Sequence, residues 1–139
     1  MMIRPTLVFV HGAWHGSWAW EPVTTILQER GWSTAAVDLP SVHAADFETK
    51  TLADDAAAVE AAVAAIDGPV VVVAHSYGGV PTTQAVLDDR VVHTVFISAF
   101  VLDEGESLLG AVGGVAPDWW VVDGDVVSAG TTQEPPLVL

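Results

Sequence analysis

Val70-Val71-Val72-Val73 runs without a break into Ala74-His75-Ser76-Tyr77-Gly78-Gly79. A short run of β-branched apolar residues reads as a buried strand. The small-x-Ser-x-Gly segment behind it reads as a sharp turn opening a helix. That is the arrangement which presents a serine hydroxyl at the edge of an α/β sheet. Strand and helix close on each other at such a turn, and Ala74, Gly78 and Gly79 are small enough to let the two backbones approach. Ser76 is therefore the candidate nucleophile. A serine that only caps a helix after a strand is the plainer alternative.

Outward from this point the chain alternates. Thr6–Val10 reads as a strand, followed by the glycine-punctuated loop His11-Gly12-Ala13-Trp14-His15-Gly16. Ser17 is expected to cap a helix to about Arg30, with Pro22 near its start, Gly31 as its stop, and Trp20, Val23 and Leu27 on one face. Ser33–Val37 reads as a second strand, and a polar loop carrying His43 follows. Thr51 caps a helix whose stripe is Leu52, Ala56, Val59, Val63 and Ile66, with Asp54, Asp55 and Glu60 assigned to the opposite side. Val70–Ala74 is the third strand, a helix is expected from about Tyr77 to Asp88, and Val92–Ile97 is the fourth strand.

Strand–helix alternation over residues 6–98 implies an α/β fold of three layers, a mostly parallel sheet with helices on both faces. Ligands bind beyond the carboxyl ends of such strands, where the His11 loop and the Ser76 turn both lie. Residues 1–103 read as the core. Residues 104–139 are irregular, broken by Gly105, Gly110, Gly113 and Gly114, with a hairpin expected around Asp123-Gly124 and a loosely packed tail at Pro135-Pro136.

Composition narrows the function classes. The chain has 139 residues, 51% of them hydrophobic, enough for one domain with a core. It lacks cysteine, which removes disulfides and thiolate metal sites. Four Lys and Arg (Arg4, Arg30, Lys50, Arg90) face 18 Asp and Glu, a net charge of −14. Nucleic acid and anionic membrane surfaces are repelled by that balance. A solvated acidic surface or adaptation to high salt both account for it. The apolar runs are of strand length, shorter than a membrane span needs. The start, Met1-Met2-Ile3-Arg4-Pro5, has no long apolar segment, and the expectation is a cytoplasmic protein.

Acyl transfer needs two N–H donors aimed at one oxygen. The N–H after the serine, on Tyr77, is one candidate. The glycine-opened loop after the first strand supplies the other, at Ala13. An ordinary strand-to-helix loop is the alternative.

Together, Val10-His11-Gly12-Ala13-Trp14-His15-Gly16-Ser17-Trp18-Ala19-Trp20, Val37-Asp38-Leu39-Pro40 and Ala74–Gly79 resemble the α/β-hydrolase superfamily. Within it they are most similar to the branch of small esterases, plant methylesterases and hydroxynitrile lyases. The resemblance covers about residues 6–103. It implies Ser76 as nucleophile, the Ala13 and Tyr77 N–H groups as oxyanion hole, a small carboxylic ester as substrate, no cofactor, and a mobile cap beginning within residues 104–139. Ala74 stands where the superfamily more often has glycine. Family members are longer and carry their triad acid and histidine after the serine. No histidine follows His93 here, so the chain resembles the N-terminal half of a hydrolase, incomplete or inactive by itself.

The remaining candidates follow from that gap. Asp103, with Glu104 beside it, follows the fourth strand, where some hydrolases place the acid; a solvated loop is the alternative. His15 is a candidate substitute base, or a residue locking its loop. His75 and His11 read as structural residues of the elbow and the loop, and neither His43 nor His93 has an assigned role. His11 and His15 are four apart, but in a loop without a third ligand, so no metal site is expected. Trp14, His15, Trp119 and Trp120 are candidate substrate-lining residues, while Trp18, Trp20 and Trp32 read as packing. A cyanohydrin-cleaving lyase keeps the fold, but no lysine is apparent near the site loops to hold its leaving anion. A non-catalytic truncated chain would leave a sheet edge bare and favour oligomers or a partner chain.

Overall fold

The computed structural model describes residues 3–124 and 126–130. The tail at Pro135-Pro136 lies outside them. Four parallel strands form the sheet: β1 (Thr6–Val10), β2 (Thr34–Val37), β3 (Val70–His75) and β4 (Val91–Ile97), in the order β2-β1-β3-β4. Register pairs Val10 with Val37 on one side and with Ala74 on the other. The carboxyl ends of β1, β2 and β3 therefore finish level, and the loops leaving them share one rim.

Between the strands lie α1 (Glu21–Glu29), α2 (Pro40–His43), α3 (Leu52–Ala64) and α4 (Gly79–Gln84). The two faces of the sheet are covered unequally. Val8, Val10, Val37, Val70, Val72 and Ala74 pack with Val59 and Val63 of α3 in one buried cluster. Each such valine contributes on the order of 2 kcal/mol. Phe9, pointing the other way by strand alternation, meets Trp20, ring centroids 4.8 Å apart. On that side α1 buries no residue, and Val23 and Ile26 are exposed. At the edge strand β4, Val92, Val95, Phe96 and Ile97 are all exposed, so the last described strand of the sheet has an open edge and little cover.

Several expected elements shift. Ser17 does not cap a helix; Ser17–Trp20 is a 3-10 turn and α1 starts at Glu21. The Ser17 N–H and hydroxyl both donate to Asp38, at 2.7 and 3.1 Å. The helix after the elbow stops at Gln84 rather than near Asp88. Thr82 and Thr83 turn their hydroxyls back onto the Gly78 and Gly79 carbonyls, a weakening arrangement in a helix. The Val86 N–H is then taken by the Glu60 carboxylate at 2.8 Å, which gives the chain a partner outside the helix. Trp18, read as packing, is 51% exposed. Trp32 is half-buried beneath the Arg4 guanidinium, 5.1 Å from its ring.

After β4 come a short helix α5 (Leu108–Ala111) and the antiparallel hairpin β5 (Trp120–Asp123) and β6 (Val126–Ala129), a second sheet separate from the first. Gly124 has φ 59° in the hairpin turn, the left-handed conformation that favours glycine there.

Candidate active site

Ser76 follows β3 directly and has φ 51°. A non-glycine residue in the left-handed region costs about 1 kcal/mol or more and persists only where its surroundings enforce it. The surroundings here are tight. A Cβ on Gly78 would lie 2.5 Å from the His11 carbonyl oxygen and 2.6 Å from that of Val10. A Cβ on Gly79 would collide with the Phe100 carbonyl oxygen. The chain reaches that point by turning at Ser98 (φ 42°) after β4, and the Phe100 N–H donates to the Ser76 carbonyl at 3.2 Å. The elbow is thus wedged between the ends of β1 and β4.

The His11 loop lies against it. A Cβ on Gly12 would sit 3.0 Å from Ser76 Cβ and 3.2 Å from His75 Nδ1. The Ala13 N–H has no hydrogen-bond partner among the described residues. Tyr77 sits in the first turn after the elbow, where backbone N–H groups lack partners within the turn. Both residues line one cleft of about 670 Å³, together with Trp14, Ser41, Val42, Phe47, Lys50, Leu108, Trp120 and Val127. Lys50 is in that lining although no lysine was apparent near the site from the sequence; its ammonium pairs with Asp46 at 3.0 Å.

His11 fastens the loop to the end of β2. Its Nε2 accepts the Leu39 N–H at 3.0 Å and its Nδ1 donates to the Gly12 carbonyl at 2.7 Å. Only the neutral ring makes both bonds. Burial holds its pKa below the ordinary 6.5, against the opposing pull of the Gly12 carbonyl. Burial, reinforced by His15, lowers that of His75 as well. Below that ordinary value the unfolded chain binds protons which the folded chain refuses, so stability rises with pH through this window and is complete above it. The urea midpoint is expected to fall between about pH 7.5 and about pH 5.5; an unchanged midpoint would contradict the neutral His11.

His43, which had no assigned role, belongs to the same knot. Its Nε2 donates to the His15 carbonyl at 2.9 Å and stands 3.7 Å from Asp38. Burial tends to raise the Asp38 pKa, but the Ser17 amide and hydroxyl bonds outweigh it and hold it low. His11, Asp38 and His43 offer ligand atoms within 4.8 Å of one another. Each is already engaged: His11 by Leu39, His43 by His15, and Asp38 by Ser17. Through these bonds the three residues hold the loop.

The other candidates are spread around the rim. His15 donates Nδ1–H to the Ala13 carbonyl at 2.8 Å and stacks on Trp18. It lines a second cavity of about 280 Å³ with His11, Gly12, Trp20, His75 and Ile97. Among the described residues, no side chain is hydrogen-bonded to the Ser76 hydroxyl. Asp103 and Glu104 are exposed, and the Asp103 carbonyl, not its carboxylate, takes the Gln84 amide. Trp119 is half-exposed and lies edge-on to Trp14 and Trp120.

Trp14 joins the loop to the hairpin. It holds φ 61°, and its indole N–H donates to the Val127 carbonyl at 2.8 Å. Trp14→Phe keeps the ring and loses that bond, so amide exchange in β5 and β6 is expected to speed up about fivefold with little change in the main sheet. Unchanged exchange would mean that ring packing alone holds the hairpin.

One group near the elbow escaped the sequence reading. Asp55 was assigned to the solvent side of its helix, yet it is 0% exposed. It accepts the Ser41 N–H at 2.9 Å, the Ser41 hydroxyl at 2.6 Å and the Tyr77 hydroxyl at 2.8 Å. The signal was present: Asp55 stands three residues after Leu52 and four before Val59, on the apolar stripe itself.

A sequence profile described as the alpha/beta hydrolase family matches residues 7–136. The chain belongs to the alpha/beta hydrolase family. This family member is 35% identical over 104 residues to Methylesterase 7 of Arabidopsis thaliana, covering 69% of this chain and 40% of that protein. It is 33% identical over 121 residues to Probable hydrolase R7 of a Phoma species, covering 81% and 50%. Among solved structures, polyneuridine aldehyde esterase superposes with TM-score 0.71 at 22% identity, over 91% of this chain and 56% of that one. The pyrethroid hydrolase PytH superposes with TM-score 0.75 at 20% identity, over 91% and 56%. At such identities the superpositions speak for the fold. The chain spans about half the length, or less, of these relatives. No helix of the described residues is long and apolar enough to cross a membrane.

Proposed function

We propose that the chain is the nucleophile-bearing part of a serine hydrolase for small carboxylic esters. The observation that carries this reading is the left-handed Ser76 at the end of a parallel strand, with Gly12 of the neighbouring loop packed against its Cβ. Ser76 Oγ attacks the ester carbonyl and its proton passes to a base. The Ala13 and Tyr77 N–H groups hold the oxyanion, and its collapse expels the alcohol, which takes up the proton, leaving an acyl-serine that water hydrolyses. The base and its acid belong to the part of the fold that the longer relatives have and this chain does not span. Residues 104–124 and 126–130 belong to the start of a cap, supported by a hairpin that stands apart from the main sheet and lines the cleft together with Ala13 and Tyr77. The methylesterases among the relatives support an ester as substrate.

A fluorophosphonate probe tests the nucleophile without requiring the whole reaction. With imidazole supplied as an external base, the chain is expected to gain a single phosphonyl adduct on Ser76, slow without imidazole and absent in Ser76→Ala. A cooperatively folded chain that gains no adduct, or gains adducts scattered over several serines, would sink the reading.

A further inference from the structure

Asp55 does more than fill a buried position. A carboxylate has no proton to give, so every bond it makes requires its partner to donate. Ser41 and Tyr77 each have one hydroxyl proton, and both are spent on Asp55. Burial, and then the Asp55 charge, push the Tyr77 phenol pKa up, so the proton stays on the phenol at neutral pH. Ser41 and Tyr77 both line the 670 Å³ cleft, while Asp55 stands behind them out of reach of solvent. What the two hydroxyls have left to offer a ligand is lone pairs. Much of the remaining wall is apolar, with Trp14, Val42, Phe47 and Leu108; Glu48 and Ser128 also line it, and the Trp120 indole N–H is buried there without a partner among the described residues.

We propose that Asp55 makes the two hydroxyls of Ser41 and Tyr77 the hydrogen-bond acceptors of this cleft, and that the cleft selects neutral esters bearing a donor group, a hydroxyl or N–H, over isosteric esters without one. The proposal rests on the hydrolase reading above and names its substrate class. A ligand without the donor strips water from two hydroxyl oxygens and returns nothing, which is how a polar site rejects an analogue lacking the matching group. The chain's net charge of −14 favours a neutral ligand over an anionic one. Lys50, in the same wall, is already paired with Asp46.

The test is equilibrium binding to the purified chain, followed by tryptophan fluorescence, of methyl 4-hydroxyphenylacetate against methyl 4-methylphenylacetate. The hydroxy ester is expected to bind at least about fivefold more tightly. In Asp55→Asn the side-chain oxygen keeps the Ser41 N–H and the NH2 stands where both hydroxyls had their acceptor, so it donates to the two hydroxyl oxygens and releases their protons, and the ratio is expected to fall toward one. A residue that only held the fold together would lower both affinities and leave the ratio. Should Asp55→Asn not melt cooperatively, Ser41→Ala carries the same comparison, because it removes one acceptor and leaves the carboxylate with its Ser41 amide and Tyr77 bonds. Equal affinities in the unaltered chain, no binding of either ester, or a preference that survives both variants would overturn the proposal. Binding does not depend on Ser76 reacting. A chain that keeps the preference but gains no phosphonyl adduct would sink the hydrolase reading alone.

Discussion

Gly79→Ala is expected to leave the chain unable to melt cooperatively, and Gly78→Ala to come close to the same result. Overpacking a core costs about 1–3 kcal/mol when side chains can give way. Here the atoms in the way are backbone. The Gly79 methyl would enter the Phe100 carbonyl oxygen, and the Gly78 methyl would sit between the carbonyls of Val10 and His11. Neither can yield without moving the end of β1, held between β2 and β3, or the turn after β4, held by the Phe100 N–H on the Ser76 carbonyl. A loss at or beyond the top of that range is a large part of the roughly 5–15 kcal/mol that holds a domain folded. Gly110→Ala is the control, since its methyl would meet only the Ser107 hydroxyl, at 3.3 Å. Its urea midpoint is expected to move by less than about 1 kcal/mol equivalent. If Gly79→Ala melts like the unaltered chain, the close approach of strand and helix at the elbow is wrong.

Asp55→Ala is the second large effect, expected to cost about 2–4 kcal/mol in urea unfolding. The alanine leaves the Ser41 N–H, the Ser41 hydroxyl and the Tyr77 hydroxyl without their acceptor. Some of that cost is recovered where water enters from the cleft, since Ser41 and Tyr77 are only partly buried. The neighbouring carboxylate gives the contrast. Asp54 accepts the Thr51 N–H and hydroxyl at the helix start, at 2.8 and 3.0 Å, in an exposed position. Asp54→Ala is expected to cost about 1 kcal/mol, as a lost cap does. Equal losses for the two substitutions would return Asp55 to the solvent side of its helix.

Much of the fold was legible because its signals are local. The bounds of β1 and the start of α3 match the sequence reading, since β-branched runs and a Thr-capped apolar stripe state their own structure over a few residues. The hairpin at Asp123-Gly124 was legible for the same reason. So was the elbow, because few contexts place Ala, Gly and Gly around a serine after a valine run. The alpha/beta hydrolase membership rested on those stretches. Where the reading failed, a partner distant in sequence had decided the matter. The helix after the elbow ends early because Glu60 captures the Val86 amide from 26 residues away. Ser17 serves Asp38 instead of capping its own helix.

The sequence alone determined the order of strands and helices, the small residues at the elbow and the acidic surface, all set by neighbours along the chain. Only the tertiary structure decided that Asp55 is buried and that His43 braces the loop. It also decided that Ala13, Ser41, Tyr77 and Trp120 line one cleft. Those outcomes depend on parallel crossovers bringing four distant segments to one rim. A hydrogen bond closed across such a distance leaves no period or motif in the chain that makes it.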